Sequence, residues 1–209
     1  MNTIFCLIAG YLIGCINPAY IISKFKKVDL RKNGTGNIGT TNAFLNFGKK
    51  WGIFVMTFDI LKAFLTVRNC FCLFPNEPFY GLIAGAGAVL GHIYPFYTKF
   101  KGGKGIAAFG GLVLALDIRC FLFLTITGFL IALIVNWGCG LSFFSAGMFP
   151  FLYGFKTRSI LIFAVLSCIS FCIIMKHQDN VKKIRKGEEL PLRKFLINYI
   201  LKRRKNSYE

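Results

Sequence analysis

Gly105-IAAFGGLVLAL-Asp117-Ile-Arg119-CFLFLTITGFLIALI-Val135 is apolar from end to end except at Asp117 and Arg119. Read as one helix, it would bury both charges deep in lipid at a cost of several kcal/mol. Read as two, it breaks at Asp117 into a short segment, Gly105–Leu116, and a longer one, Ile118–Val135. The second reading avoids that cost and fixes the sidedness of every later connection.

Apolar runs flank this stretch on both sides. They are Thr3–Ser23, Gly52–Phe74, Phe79–Tyr97, Leu141–Tyr153 and Ile160–Met175. With the two halves above they make seven segments. A bilayer-spanning helix needs about 20 residues, so Gly105–Leu116 and Leu141–Tyr153 are short. The chain has 209 residues, 55% of them hydrophobic, and a mean hydropathy of +0.58. These features predict an all-α polytopic membrane protein with seven transmembrane helices, forming a single domain over residues 1–209. The N-terminus lacks a basic region ahead of its apolar run, so the first segment is read as a retained span.

There are 26 basic and 8 acidic residues, a net charge of +18. In a soluble chain this would suggest nucleic acid. In a membrane chain it reflects Lys and Arg gathered on the cytoplasmic side, facing anionic membrane lipid. No nucleic-acid partner is expected. With the break at Asp117, residues 24–51, 98–104, 136–140 and the tail from 176 share one side. That side carries Lys24, Lys26, Lys27, Arg31, Lys32, Lys49, Lys50, Lys99, Lys101, Lys104 and a basic tail ending in Lys202, Arg203, Arg204 and Lys205. The other side carries only Arg119, Lys156 and Arg158. The positive-inside rule then places the N-terminus outside and the C-terminus in the cytoplasm.

The eight cysteines form no CxxC pair and lie in or beside apolar segments, where they act as small apolar residues. No metal or cofactor is expected. No internal repeat is visible.

Three polar clusters fall on the basic side. The first, Gly34-Thr-Gly-Asn-Ile-Gly-Thr-Thr-Asn42, offers backbone N–H groups, hydroxyls and amides without bulk. Successive N–H groups of this kind can form an anion-binding nest. The second, Lys99-Phe-Lys-Gly-Gly-Lys-Gly105, follows Gly91-His92-Ile-Tyr-Pro95 and opens the Gly105–Leu116 segment. It lacks P-loop spacing, yet a helix N-terminus should face the same ligand as its lysines. The third is His177-Gln-Asp-Asn180, followed by Gly187 and Glu189; His177 and Asn180 share a helical face. Within the second segment, Asp59 and Lys62 are three apart and most simply neutralise one another. An intramembrane ionisable pair is also a functional candidate.

Taken in order, these clusters resemble the bacterial acyl-phosphate:glycerol-3-phosphate acyltransferase family. Asn17-Pro18-Ala19-Tyr20, Asp59 with Lys62, and Ser142 also fit its pattern. The resemblance implies an enzyme of the bacterial cell membrane. It would move a fatty acyl group from acyl phosphate to the 1-hydroxyl of sn-glycerol 3-phosphate, giving lysophosphatidic acid and inorganic phosphate, the first acylation of phospholipid biosynthesis. It would work beside an acyl-phosphate-producing enzyme and without a cofactor. The implied catalytic residues are Lys104, Ser142, His177 and Asn180. The implied substrate-binding residues are Thr35, Gly36, Asn37, Gly39, Thr41, Asn42, Lys49, Lys101, Gly102, Gly103, Gly105 and Glu189. The chain departs from the family at Thr35, usually Ser, and at Leu45 and Asn136, each usually Arg. Losing a bidentate cation weakens phosphate binding; Lys49 and Lys50 are the nearest replacements in sequence, although Lys is not equivalent to Arg. Two other readings stand beside this one: a transporter or flippase of a phosphorylated metabolite or lipid, and a catalytically weakened paralogue.

Overall fold

A computed structural model describes the backbone of residues 1–205 and the side chains of residues 1–198. The side chains of Lys202, Arg203, Arg204 and Lys205 lie outside the described residues. Those described fold into eleven α-helices with no strand: α1 (Asn2–Cys15), α2 (Pro18–Phe25), α3 (Thr40–Phe47), α4 (Lys49–Leu73), α5 (Pro78–Ile93), α6 (Ile106–Leu116), α7 (Ile118–Val135), α8 (Cys139–Thr157), α9 (Ile160–Lys176), α10 (Gln178–Arg185) and α11 (Leu192–Lys205).

Every apolar segment expected from the sequence is helical, but the correspondence is not one to one. The first is two helices. Proline at position 18 pushes Asn17 into extended backbone, and the Asn17 side chain then accepts the Tyr20 N–H at 2.9 Å as the N-cap of α2. The short helices α3, α10 and α11 lie in segments too polar to be read as spans. Four stretches are long and apolar enough to cross a bilayer: Asn2–Phe25, Pro78–Thr98, Ile118–Val135 and Ile160–Arg185. Helix α4 carries Asp59, Lys62 and Arg68 in its body, and α6 has only 11 residues.

The break at Asp117 is real. This residue is extended, with φ −158° and ψ 108°, and its carboxylate accepts the N–H groups of Arg119 and Cys120 at 2.8 and 3.1 Å. It therefore caps α7 and cannot continue α6. Its other oxygen pairs with Lys156 near the end of α8, so the α6–α7 turn and the C-terminus of α8 share one end of the bundle.

Helices α1 and α5 meet along small residues. A Cβ at Gly10 would fall 2.0 Å from the Ala84 carbonyl oxygen, one at Gly14 2.1 Å from that of Ala88, and one at Gly91 2.1 Å from that of Tyr11. Such spacing lets backbones touch, which is how helices associate where lipid offers no hydrophobic drive. The main core lies between α5, α6, α8 and α9, where Phe109 and Phe149 meet edge-on at 5.7 Å amid Leu112, Leu166 and Ile173. Helix α7 turns Leu122, Ile126, Leu130 and Ile134 outward, each more than half exposed. In a chain of this composition that face belongs against lipid.

Gly91→Ala is expected to lower the melting temperature in detergent, since overpacking costs about 1–3 kcal/mol. Gly147→Ala, whose Cβ would meet nothing within 4 Å, is expected to leave it near wild type. Equal melting temperatures for the two variants would mean the α1–α5 seam opens freely.

Candidate active site

The first polar loop is organised around Asn42. Its amide nitrogen donates to the carbonyls of Leu30, Asn33 and Asn37 at 2.7, 3.0 and 2.9 Å, and its oxygen accepts the Thr35 N–H at 2.9 Å. Asn42 is 1% exposed, and both ends of its amide are committed to shaping the loop. Gly34 has φ +62°, and a Cβ there would fall 2.1 Å from the Asn42 oxygen, so only glycine fits. The loop then turns Thr35, Asn37, Gly39, Thr40 and Thr41 toward a cavity, while Gly36 is exposed and outside its wall.

The second loop turns through left-handed backbone at Lys99 and Phe100. The N–H groups of Gly102 and Gly103 donate to the carbonyls of Ile93 and His92 at 3.1 and 3.0 Å. They are therefore unavailable to a phosphate, which corrects the expectation that Gly102 and Gly103 bind substrate, as far as their N–H groups are concerned. Gly103 lies so close to His92 that a Cβ would come within 2.1 Å of Nε2. Lys101 is exposed, and its carbonyl accepts from the Arg31 guanidinium at 3.4 Å. Arg31 also reaches the Thr98 carbonyl at 3.3 Å and so ties the two loops together. What the second loop delivers to the cavity is Lys104 and Gly105.

The cavity holds about 480 Å³. Of the residues singled out in sequence it gathers Thr35, Asn37, Gly39, Thr41, Lys104, Gly105, Ser142, His177, Asn180 and Glu189. Gly36, Asn42, Lys49, Lys101, Gly102 and Gly103 are outside its wall. A chain of contacts crosses its polar end. The Lys104 ammonium donates to the Asn180 side-chain oxygen, and the Asn180 amide donates to Glu189 Oε1 at 2.6 Å. His177 is 4% exposed, and its Nδ1 hydrogen-bonds the Ile173 carbonyl at 2.8 Å. A carbonyl only accepts, so Nδ1 carries the proton and Nε2 remains the acceptor. Burial draws the Lys104 ammonium below the usual lysine range, Glu189 opposes that shift, and Lys183 reinforces it.

Three helix N-termini open on this space. They are Gly39–Thr41 of α3, Gly105–Ala107 of α6 and Gly138–Ser142 at the start of α8. Each presents partly positive N–H groups. Away from this polar end, Met56, Ile60, Phe109, Val113, Phe121, Leu124 and Phe129 line an apolar arm between α4, α6 and α7. The cavity therefore joins a polar end to an apolar arm.

A sequence model of the glycerol-3-phosphate acyltransferase family matches residues 4–187. The chain belongs to the glycerol-3-phosphate acyltransferase family. It is 36% identical over 197 residues to the glycerol-3-phosphate acyltransferase of Staphylococcus haemolyticus, covering 90% of this chain and 97% of that one. It is 34% identical over 192 residues to that of Aquifex aeolicus, covering 90% and 98%. The fold resembles two crystal structures of PlsY, an integral membrane glycerol 3-phosphate acyltransferase. The glycerol 3-phosphate form gives a TM-score of 0.79 at 32% identity, covering 91% of this chain and 96% of that one. The lysophosphatidic acid form gives 0.75 at 30%, covering 94% and 100%.

Within this acyltransferase family, two positions at which the sequence was expected to depart from the usual pattern now have places. Leu45 lies on α3, 43% exposed and outside the cavity wall. Asn136, with φ +63°, ends α7 and is also outside that wall. Lys183 is a residue that sequence reading missed. Its ammonium donates to the Thr35 carbonyl at 3.0 Å and places a second cation near Lys104. Arg31 and Thr40 were missed as well.

Removing the Glu189 carboxylate should make Lys104 lose its proton at lower pH. Inorganic phosphate binding is expected to weaken on the alkaline side, and Glu189→Gln is expected to move that weakening to lower pH. Titration of phosphate affinity against pH for both proteins checks it; coincident curves would remove Lys104 from the anion site.

Proposed function

We propose that this protein transfers a fatty acyl group from acyl phosphate to the 1-hydroxyl of sn-glycerol 3-phosphate, releasing lysophosphatidic acid and inorganic phosphate. The observation that carries this reading is one cavity with Lys104 and three helix N-termini at one end and an apolar arm beyond them. Both substrates carry a phosphate, and only one carries a hydrocarbon chain. An acyl phosphate is already activated, so the protein's part is to align a hydroxyl with the carbonyl and stabilise the oxyanion that forms.

The assignment of roles follows the chemistry of each group. Lys104, Lys183 and the N-termini of α3 and α6 hold phosphate. Asn180, positioned by Glu189, and the Ser142 hydroxyl orient substrates and donate to the developing oxyanion. Nε2 of His177 accepts the hydroxyl proton as the oxygen bonds to the carbonyl carbon; the C–O bond to phosphate then breaks, and phosphate leaves.

The seven-span arrangement, forming a single domain over residues 1–209, belongs to the same proposal. Helices α4, α6 and α8 complete the crossings, with the N-terminus outside and the C-terminus in the cytoplasm of the bacterial plasma membrane. The site then faces the compartment that supplies glycerol 3-phosphate, and an enzyme producing acyl phosphate works beside it. The three polar clusters fall on one side in this arrangement, which favours an interfacial enzyme over a transporter.

The direct test combines purified protein, acyl phosphate and labelled glycerol 3-phosphate, with lysophosphatidic acid as the readout. Wild type should form product and Lys104→Ala should form almost none. Solute uptake into vesicles without product would support the transporter instead. His177→Gln is expected to lower kcat by about a hundredfold and to erase the acidic limb of the pH–rate profile. An unchanged limb would shift the proton to the acceptor's own phosphate.

A further inference from the structure

Residue 187 is the last one matched by the family's sequence model. Beyond it, residues 190–195 form a strap that the chemistry above does not use. Leu190, Leu192 and Phe195 line the same cavity as Lys104 and Glu189, whereas Arg193 and Lys194 are exposed. One end of the strap is tied to the last turn of α7. The Leu192 N–H donates to the Asn136 carbonyl at 2.9 Å, and the Arg193 N–H to the Asn136 side-chain oxygen at 2.9 Å. The Arg193 guanidinium donates to the carbonyls of Leu133 and Ile134 at 2.9 and 3.3 Å. Helix ends leave such carbonyls without partners, so the anchor satisfies groups that would otherwise need water. On the other side, the Phe195 ring meets Phe44 of α3 edge-on at 6.4 Å. The strap therefore crosses from α7 to α3 beside the polar end of the cavity, apolar side inward.

We propose that this strap keeps water from the reacting carbonyl, so that the acyl group passes to a glycerol phosphate hydroxyl and not to water. The inference rests on the acyl-phosphate reading above. The reaction it suppresses is hydrolysis. A water oxygen bonds to the carbonyl carbon, the C–O bond to phosphate breaks, phosphate leaves with the electron pair, and the water proton passes to solvent. The products are a fatty acid and inorganic phosphate. A site holding an activated acyl group gains selectivity when closure excludes water. Here an apolar cover stands beside groups that would otherwise order water, namely Lys104, Asn180 and Glu189.

The test measures free fatty acid and lysophosphatidic acid together, using full-length protein in lipid nanodiscs with acyl phosphate and glycerol 3-phosphate. Wild type should give a low ratio of fatty acid to lysophosphatidic acid. Phe195→Ala and Arg193→Ala, which act at opposite ends of the strap, should each raise it about tenfold. Phe195→Leu, which keeps an apolar cover, should stay near wild type. An unchanged ratio in both alanine variants, with product still formed, overturns the strap's role and leaves the acyltransferase reading standing. A ratio that rises equally in Phe195→Leu also overturns it, since general loosening would then be the cause. A wild type that makes no lysophosphatidic acid overturns the acyltransferase reading, and this inference with it.

Discussion

A lysine buried among apolar helices must find partners for its charge, and the arrangement of this molecule depends on how Lys62 does so. Its ammonium lies 2.7 Å from the Asp59 carboxylate, 2.8 Å from the Ile16 carbonyl and 3.1 Å from His92 Nδ1. Removing one member of such a buried set leaves an uncompensated charge. The contacts join α4 to the break between α1 and α2 and to the end of α5. His92 then holds the Gly103 N–H through its own carbonyl, and Lys104 is the next residue. Pairing inside the bundle thus sets where Lys104 emerges.

Among the described residues, Lys104 is the one lysine or arginine in the cavity wall, which also carries Asp59 and Glu189; Lys183 stands outside the wall. Helix ends add partial charges that need no counterion and no desolvation of a full charge. Leu45 is solvent-facing on α3, and Asn136 anchors the start of α11 through its carbonyl and its side-chain oxygen.

Much of this was legible in sequence, for identifiable reasons. The break at Asp117 was readable because two charges in lipid carry a large cost, and the same carboxylate proved to cap α7. The cavity residues of the three polar clusters were readable because polar side chains gathered among glycines at the ends of apolar runs, whereas Ser142 came only from the resemblance to the family. The fate of the Gly102 and Gly103 amides was not readable, since glycine signals a tight turn without saying which partner its N–H will take. Lys183 escaped notice because its contact with Thr35 spans 148 positions and its neighbours read as an ordinary basic surface helix. The short helices α3, α10 and α11 lack the long apolar runs that announce a span, and α2 was hidden inside one.

The brevity of α6 has a consequence for depth. Its 11 residues extend about 16 Å at 1.5 Å per residue, roughly half of a hydrocarbon layer about 30 Å thick. Gly105, at the polar end of the cavity, therefore stands only that far from the Asp117 turn, and the apolar arm runs back toward the turn past Phe109 and Val113. The two polar ends of α6 are separated by about half the length that an ordinary spanning helix would put between them.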